Sequence, residues 1–197
     1  MNLNNRYFSI SAEKSKGADV SAPELFISKY LNKHYETVKS LPEDLLRLPS
    51  QDECFFLQTD NSFNAFTFVV LVAKHQGIKR LYASTYSINI RVIESLVELH
   101  DGGFVDEIFL MVSDSLRKRN PTTVNLMEAL FKSRPNIRLK YSWNHSKVTL
   151  MQTEFSSFVV EGSGNWSENA LYEQYIFLNS KSVFEHREKL FLNSKER

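Results

Sequence analysis

The strongest constraint on the fold is a regular exchange of strand-like and helix-like segments between residues 54 and 143. Apolar runs of six or seven residues, such as CFFLQT and RLYAST, have the length of buried strands. The segments between them, such as residues 62–77 and 89–103, are longer and carry apolar residues at helical spacing. This order is typical of an α/β sandwich, because a helix that connects two parallel strands packs on the sheet.

After residue 143 the strand-like runs are separated only by tight turns, at residues 147–153, 155–163 and 173–180. The sequence therefore predicts a mixed, mostly parallel β-sheet flanked by helices on both faces, in a domain that covers residues 46–197. Residues 1–45 are interpreted as an extension that packs on this domain and carries one helix, at residues 22–41. Because open α/β sheets bind ligands beyond the carboxyl ends of their strands, we expect the functional site there.

The amino-acid composition indicates a globular protein and excludes several other classes. Hydrophobic residues make up 42% of the chain and charged residues 24%, which is the mix of a globular protein. The single cysteine, Cys54, excludes an intrachain disulfide and a multi-cysteine metal site. The first residues lack a secretory leader pattern, and the longest apolar run, residues 66–73, is too short to cross a bilayer. These features predict a soluble, cytoplasmic protein for which membrane contact is disfavoured.

The formal net charge is only +1, but the cations are unevenly distributed. Between residues 117 and 147 the chain carries a single acid, Glu128, and eight cations: Arg117, Lys118, Arg119, Lys132, Arg134, Arg138, Lys140 and Lys147. A cluster of this kind raises the local concentration of anionic ligands. Nucleic acid is the expected partner, and the candidate contact residues are Arg117, Lys118, Arg119, Arg138 and Lys140.

Two short motifs carry residues suited to phosphoryl chemistry: HSK, with His145 and Lys147, and GSGN, with Ser163 and Asn165. A histidine can act as nucleophile or general acid near neutral pH, and a lysine supplies a fixed positive charge. Asn and Ser side chains can donate hydrogen bonds to phosphoryl oxygens. On a strand, His145 and Lys147 share one face, and the GSGN turn reaches that face if the two strands are neighbours. This chemistry requires neither a metal nor a cofactor.

Each of these residues also has a purely structural interpretation. His145 alone fits a surface or strand-end histidine, and Lys147 alone fits a solvated lysine. The small residues from Gly162 to Gly164 fit a plain hairpin turn. Only the combination of both motifs, in this order and on neighbouring strands, favours a site.

The combination resembles the signature of the phospholipase D superfamily, which is H-x-K, four residues, Asp, and then G-S-x-N. The resemblance implies a phospholipase D-like α/β sandwich over residues 50–192 and catalytic roles for His145, Lys147 and Asn165. It assigns phosphate support to Ser163 and Gly162. In that family an acid beyond the Asn contacts the histidine, and Glu173 matches it best.

The chain departs from the signature at Gln152, where the family usually has Asp. That Asp is not the nucleophile, the acid or a phosphate ligand in the family. Tyrosyl-DNA phosphodiesterases, which the chain resembles in this respect, also lack it and remain active. Gln152 therefore argues against assuming full activity more than against the resemblance.

The chain contains one copy of the motif, and family members with one copy form homodimers that join two motifs across a two-fold axis. The resemblance then implies that His145 of one protomer attacks phosphorus while His145 of the other protonates the leaving oxygen. Small single-motif members are often nucleases, which suits the basic block. Two alternatives stay open: a catalytically degenerate nucleic-acid-binding or interaction protein, and a phospholipid phosphodiesterase or transferase.

Overall fold

The computed structural model describes residues 47–59, 64–167 and 172–195. The expected extension at residues 1–45, with its helix at 22–41, lies outside these ranges. Within them the chain forms seven strands, β1 to β7, with the bounds Cys54–Gln58, Ile78–Thr85, Val105–Ser113, Ile137–Ser142, Val148–Gln152, Ser157–Gly162 and Gln174–Asn179. The same ranges contain five helices, α1 to α5, with the bounds Phe66–His75, Ile90–Asp101, Leu116–Arg119, Pro121–Lys132 and Lys181–Asn193.

The strands form one sheet in the order β1-β7-β6-β5-β2-β3-β4. The expected mixed sheet is confirmed, and five of the seven strands run in the same direction, namely β1, β2, β3, β4 and β6. The prediction that the sheet is mostly parallel is nevertheless wrong for the pairs of neighbouring strands. Because β5 and β7 run the other way between these strands, four of the six pairings are antiparallel and only β2–β3 and β3–β4 are parallel.

Helices cover both faces of the sheet, as expected. Alternate residues of each strand point to opposite faces, so Leu81 and Ala83 pack with α1, α2 and α4 in the larger core. Tyr82, between them, packs with Phe184 and Phe191 of α5 in a second, smaller core on the opposite face. Helix α1 is almost completely buried from Phe66 to Ala73, which explains why its sequence is apolar on all sides.

Local signals place the helix boundaries. The side chain of Asn89 accepts a hydrogen bond from Val92 N at 2.9 Å and thereby caps the start of α2. Gly103, at φ 76°, lies beyond the end of α2 in the left-handed conformation that favours glycine. Asn120 caps α4 in the same way, followed by Pro121 in the first turn. Every helix within the described ranges is too short or too polar to span a lipid bilayer.

The strand directions bring several chain ends to one border of the sheet. The carboxyl ends of β2, β3, β4 and β6 meet the amino ends of β5 and β7 there. We call this border the site edge. Both HSK and GSGN lie at the site edge, because HSK directly precedes β5 and GSGN begins with the last residue of β6.

Candidate active site at the site edge

The HSK motif lies in the loop between β4 and β5, and not on a strand as the sequence suggested. Strand β4 ends at Ser142 and β5 begins at Val148, so the loop consists of residues 143–147. Gly162 N donates a hydrogen bond to Lys147 O at 3.3 Å. The antiparallel pairing of β5 with β6 therefore places the two motifs side by side, which fulfils the condition that the sequence set for a shared site.

Gly162 is required by the packing of β6 against β7. It lies opposite Tyr175 in this pairing. A Cβ atom at residue 162 would lie 2.2 Å from Gln174 O and 2.6 Å from Cδ1 of Tyr175. Any other residue must push the two strands apart. The glycine therefore supports the site by allowing Ser163 to leave β6 close to β7.

His145 is exposed and lies against two neighbours. Its ring centroid is 4.7 Å from that of Tyr86, which directly follows β2. Lys147 Nζ lies 3.2 Å from His145 Nδ1 and donates a hydrogen bond to His145 O at 2.8 Å. An accessible imidazole, an ammonium group and a phenol ring thus share the site edge.

Lys147 is partly buried beside the imidazole. Burial lowers the pKa of Lys147, because water stabilises the charged ammonium better than the protein does. The nearby negative charge of Glu173 acts in the opposite direction and raises this pKa. Glu173, which is 9% exposed, therefore lies close enough to Lys147 to support its positive charge.

Glu173 has a different hydrogen-bond partner from the one that the resemblance implied. Its Oε2 accepts a short hydrogen bond from Ser163 Oγ, while Ser163 Oγ accepts from Gln174 N at 3.0 Å. His145 Nδ1 faces Lys147, and no hydrogen bond joins Glu173 to His145 in the structure. The carboxylate thus holds the GSGN segment and reaches the HSK loop through its charge.

Asn165 lies next to the end of β2. Its Oδ1 is 3.4 Å from Thr85 Oγ1, and the same hydroxyl accepts a hydrogen bond from Trp166 N at 3.1 Å. Trp166 is 1% exposed and packs edge-on against Phe66, so the end of the motif is anchored in the core. The amide nitrogen of Asn165 is the part of this side chain that can donate to a phosphoryl oxygen.

Sequence reasoning missed Asn144, which lies in the HSK loop directly before His145. Its Oδ1 accepts from Ser146 N at 2.9 Å and from Ser146 Oγ at 2.6 Å. Its Nδ2 donates to Ser84 Oγ at 2.8 Å and lies 3.4 Å from Thr85 O. Asn144 is 7% exposed, so these bonds fix the loop to the end of β2. The hydroxyl residues Ser84 and Thr85 at the end of β2 were the available signal, whereas the asparagine itself had none.

The structure separates the basic residues into two groups. Arg119 lies near His145, because its guanidinium packs on the Tyr86 ring at 4.2 Å and donates to Tyr86 O at 3.0 Å. Arg117 packs on the Tyr141 ring at 3.8 Å, and Lys118 is exposed beside it. These three residues belong to the short helix α3, which the sequence analysis did not predict.

Arg138 and Lys140 lie elsewhere. Both project from β4 on the α5 face, opposite Phe109 and Met111 in the pairing with β3. Lys140 Nζ donates to Ser194 O after the end of α5, and Arg138 lies near the start of β4, away from the site edge. The basic block is therefore continuous in sequence but not in space.

Gln152 lies at the end of β5 that is remote from His145. Its Oε1 accepts a hydrogen bond from Arg80 Nε at 2.7 Å. Arg80 also contacts Glu188 of α5 at 3.4 Å, and Tyr82 donates to Glu188 at 2.8 Å. The residue that departs from the family signature thus belongs to the junction between the sheet and α5, where it touches none of the site residues.

No three His, Cys, Asp or Glu side chains form a group suited to a metal ion in the ranges that the structure describes.

Comparisons with solved structures show which known folds this structure is similar to. No protein-family model matches the sequence, and no curated protein matches it. The structure is similar to that of polyphosphate kinase from Porphyromonas gingivalis, with a TM-score of 0.57 and 17% identity. It is also similar to phosphatidylserine synthase from Haemophilus influenzae Rd KW20, with a TM-score of 0.50 and 10% identity. Both are members of the phospholipase D superfamily.

The fold is phospholipase D-like. The likeness covers 83% and 76% of this chain but only 29% and 43% of those two, so the chain spans less than half of each neighbour. At these identities the likeness establishes the fold alone. The chemistry has to be argued from the residues at the site edge.

Proposed function

We propose that the protein is a metal-independent phosphodiesterase that cleaves nucleic acid in the cytoplasm through a phosphohistidine at His145. One observation carries this proposal. His145 and Lys147 lie on the same border of a phospholipase D-like sheet as Ser163, Asn165 and Glu173, within one network of contacts. A nucleophile, a cation and hydrogen-bond donors are the groups that phosphoryl transfer requires.

In the proposed first step, a ring nitrogen of His145 attacks phosphorus, and the bond between phosphorus and the leaving oxygen breaks as the N–P bond forms. Lys147 Nζ, now 3.2 Å from the imidazole, turns towards the phosphoryl oxygens and neutralises their charge. Asn165 donates to the same oxygens. The leaving oxygen takes a proton from His145 of a second protomer.

In the second step, water attacks phosphorus and the N–P bond breaks. The second His145 accepts the proton of that water, so both histidines return to their starting state. Glu173 supports Lys147 by its charge and holds Ser163 by its hydrogen bond, and this replaces the direct contact with the imidazole that the resemblance implied.

The polyanionic substrate is supported by Arg119. Its guanidinium reaches the site edge through Tyr86, whose ring also contacts His145. Arg117 and Lys118 extend the positive charge along α3. Arg138 and Lys140 lie on the α5 face. We therefore propose that any contact they make with the substrate is far from the cleaved bond. Such contacts make binding depend steeply on salt.

A second candidate function is favoured by the position of Lys147. Because Lys147 and not Glu173 faces Nδ1 of His145, no carboxylate among the described residues is hydrogen-bonded to the imidazole. A protein of this kind can bind a phosphodiester without turnover. In this second candidate function, the protein binds nucleic acid with steep salt dependence and leaves it intact.

The experiment is cleavage of a labelled panel in EDTA: single-stranded DNA, duplex DNA, RNA and phospholipid vesicles. We expect cleavage of at least one nucleic acid by the wild type and none by His145→Ala. His186→Ala is the matched control, because His186 is exposed on α5 outside the site. Equal cleavage by His145→Ala contradicts the proposal, and salt-sensitive binding without cleavage supports the second candidate. Cleavage of the vesicles alone favours phospholipid chemistry.

A further inference from the structure

An open cleft of about 310 Å³ lies next to His145 and is not used by the chemistry proposed above. Tyr86, Trp143 and His145 contribute its aromatic walls. Asn144, Ser113 at the end of β3 and Ser115 just beyond it contribute polar groups, and Asp114 contributes a carboxylate. The volume is at the lower end of the range found for small-molecule sites.

The lining of this cleft indicates what it can bind. His145 is the one basic side chain among the residues that line it; Arg119 is not among them but contacts two of them, Tyr86 and Ser115, while Asp114 within the lining repels an anion. The phosphate therefore fits at His145 and Lys147, whereas the cleft suits an uncharged, planar group that can accept and donate hydrogen bonds. A nucleobase has these properties, and a lipid tail does not.

Trp143 provides the surface on which such a ring can stack. Its side chain is 78% exposed and lies two residues before His145, at the rim of the cleft. The other tryptophan, Trp166, is 1% exposed and belongs to the core. A large aromatic side chain exposed to this degree beside a phosphate site is a stacking platform of the kind that binds unpaired bases.

We infer that the cleft between Trp143 and Tyr86 is a base subsite, which binds an unpaired nucleobase next to the cleaved phosphodiester. This inference rests on the proposed function and deepens it, because it names single-stranded nucleic acid as the substrate class. In a duplex the bases are stacked and paired, so the base cannot enter the cleft without first being unstacked. Asp114 accepts a hydrogen bond from an amino or imino group of the bound base.

The test compares three substrates in EDTA: a single-stranded oligonucleotide, the same strand with stable abasic residues on both sides of one phosphodiester, and the duplex. We expect the wild type to prefer the base-bearing single strand. Trp143→Ala lowers kcat/KM on that strand by roughly 5- to 150-fold and removes its advantage over the abasic strand. Phe155→Ala is the matched control and changes neither rate, because Phe155 is 85% exposed but lies beyond β5, away from the site edge.

Binding is measured separately, by the quenching of tryptophan fluorescence with a short single-stranded oligonucleotide. We expect quenching in the wild type and in Phe155→Ala, and its loss in Trp143→Phe, in which only buried Trp166 fluoresces. If no strand is cleaved but the oligonucleotide still quenches Trp143, the base subsite stands and the proposed function fails. The inference is overturned if base-bearing and abasic strands are cleaved equally without quenching. It is also overturned if Trp143→Ala dissociates a dimer while the preference for bases remains.

Discussion

Lys147 carries its positive charge at a site where burial disfavours that charge. Burial lowers the pKa of Lys147, and the neighbouring negative charge of Glu173 offsets this effect only in part. Between the folded and unfolded pKa values the unfolded chain binds more protons, so the contribution of Lys147 to the free energy of unfolding rises with pH there. A lysine of this kind loses its proton at a lower pH than an exposed one.

The activity should therefore fall on the alkaline side at a pH below the ordinary lysine pKa of 10.5, because neutral Lys147 cannot stabilise the phosphoryl oxygens. Lys147→Arg should lower the rate but move this decline to higher pH, since a guanidinium stays protonated. The measurement is kcat/KM against pH for the wild type, Lys147→Arg and the exposed control Lys189→Arg. If the decline of Lys147→Arg coincides with that of the wild type, Lys147 is not the titrating group.

Gln152 shows how a residue can depart from a signature without altering the site. The sequence revealed the substitution but not its location. In the structure β5 begins directly after Lys147 and ends at Gln152, so four residues lie between the two and, at about 3.3 Å per residue, the length of β5 separates them. The replacement of the acid by Gln152 therefore affects the contact between the sheet and α5, where Arg80 binds both Gln152 and Glu188.

At the scale of a single structural element, Asn144 fixes the conformation of the HSK loop. Its amide bridges Ser146 within the loop to Ser84 and Thr85 at the end of β2. Asn144→Ala should destabilise the protein by about 1–3 kcal/mol, because buried polar groups lose their partners. It should also lower kcat more than it raises KM, because His145 is no longer held in place.

The control for Asn144 is Thr153→Ala. Thr153 is 5% exposed and its hydroxyl contacts Gln76, Phe155 and Ser156 at the other end of β5. Its loss should cost stability without changing kcat below the unfolding temperature. Thermal unfolding and steady-state kinetics on both variants separate the two effects. A role for Asn144 in stability alone predicts equal kcat values for the two variants.

Gly162 tests the packing of β6 against β7. Gly162→Ala should lower the free energy of unfolding by about 1–3 kcal/mol and reduce activity, because its Cβ atom meets the backbone of Gln174. Gly77→Ala is the control, since a Cβ atom there meets nothing within 4 Å. Denaturant unfolding measures both. Equal stability of the two variants would contradict the close approach of β7 to residue 162.

The sequence predicted most elements because their periodicity is local, and the helix–strand exchange limited the connections. It left the pairing of β5 with β6 as the condition for bringing HSK and GSGN together, and the structure fulfils this condition. It could not show that β5 and β7 insert between strands of the opposite direction, since that depends on contacts between distant residues. For the same reason the partner of Glu173 and the separation of Arg138 from Arg119 emerged only from the structure.

At the scale of the whole molecule, the proposed mechanism requires two copies of the chain. We expect a species of twice the 22.9 kDa of one chain in sedimentation equilibrium, with the two site edges facing each other. Coexpression of equal amounts of wild-type and His145→Ala chains tests whether both histidines are needed. If they are, mixed dimers are inactive and about a quarter of the activity per dimer remains, because only wild-type pairs work. Retention of about half the activity means that each chain acts alone.

The central claim is that His145 becomes covalently bound to phosphorus during the reaction. The most direct measurement is to quench a reaction with a labelled oligonucleotide and to separate the denatured protein. The account predicts a labelled protein adduct that is labile to acid, is present in the wild type and in His186→Ala, and is absent in His145→Ala. Cleavage of the oligonucleotide by His145→Ala at the wild-type rate, with no adduct in either protein, would contradict it.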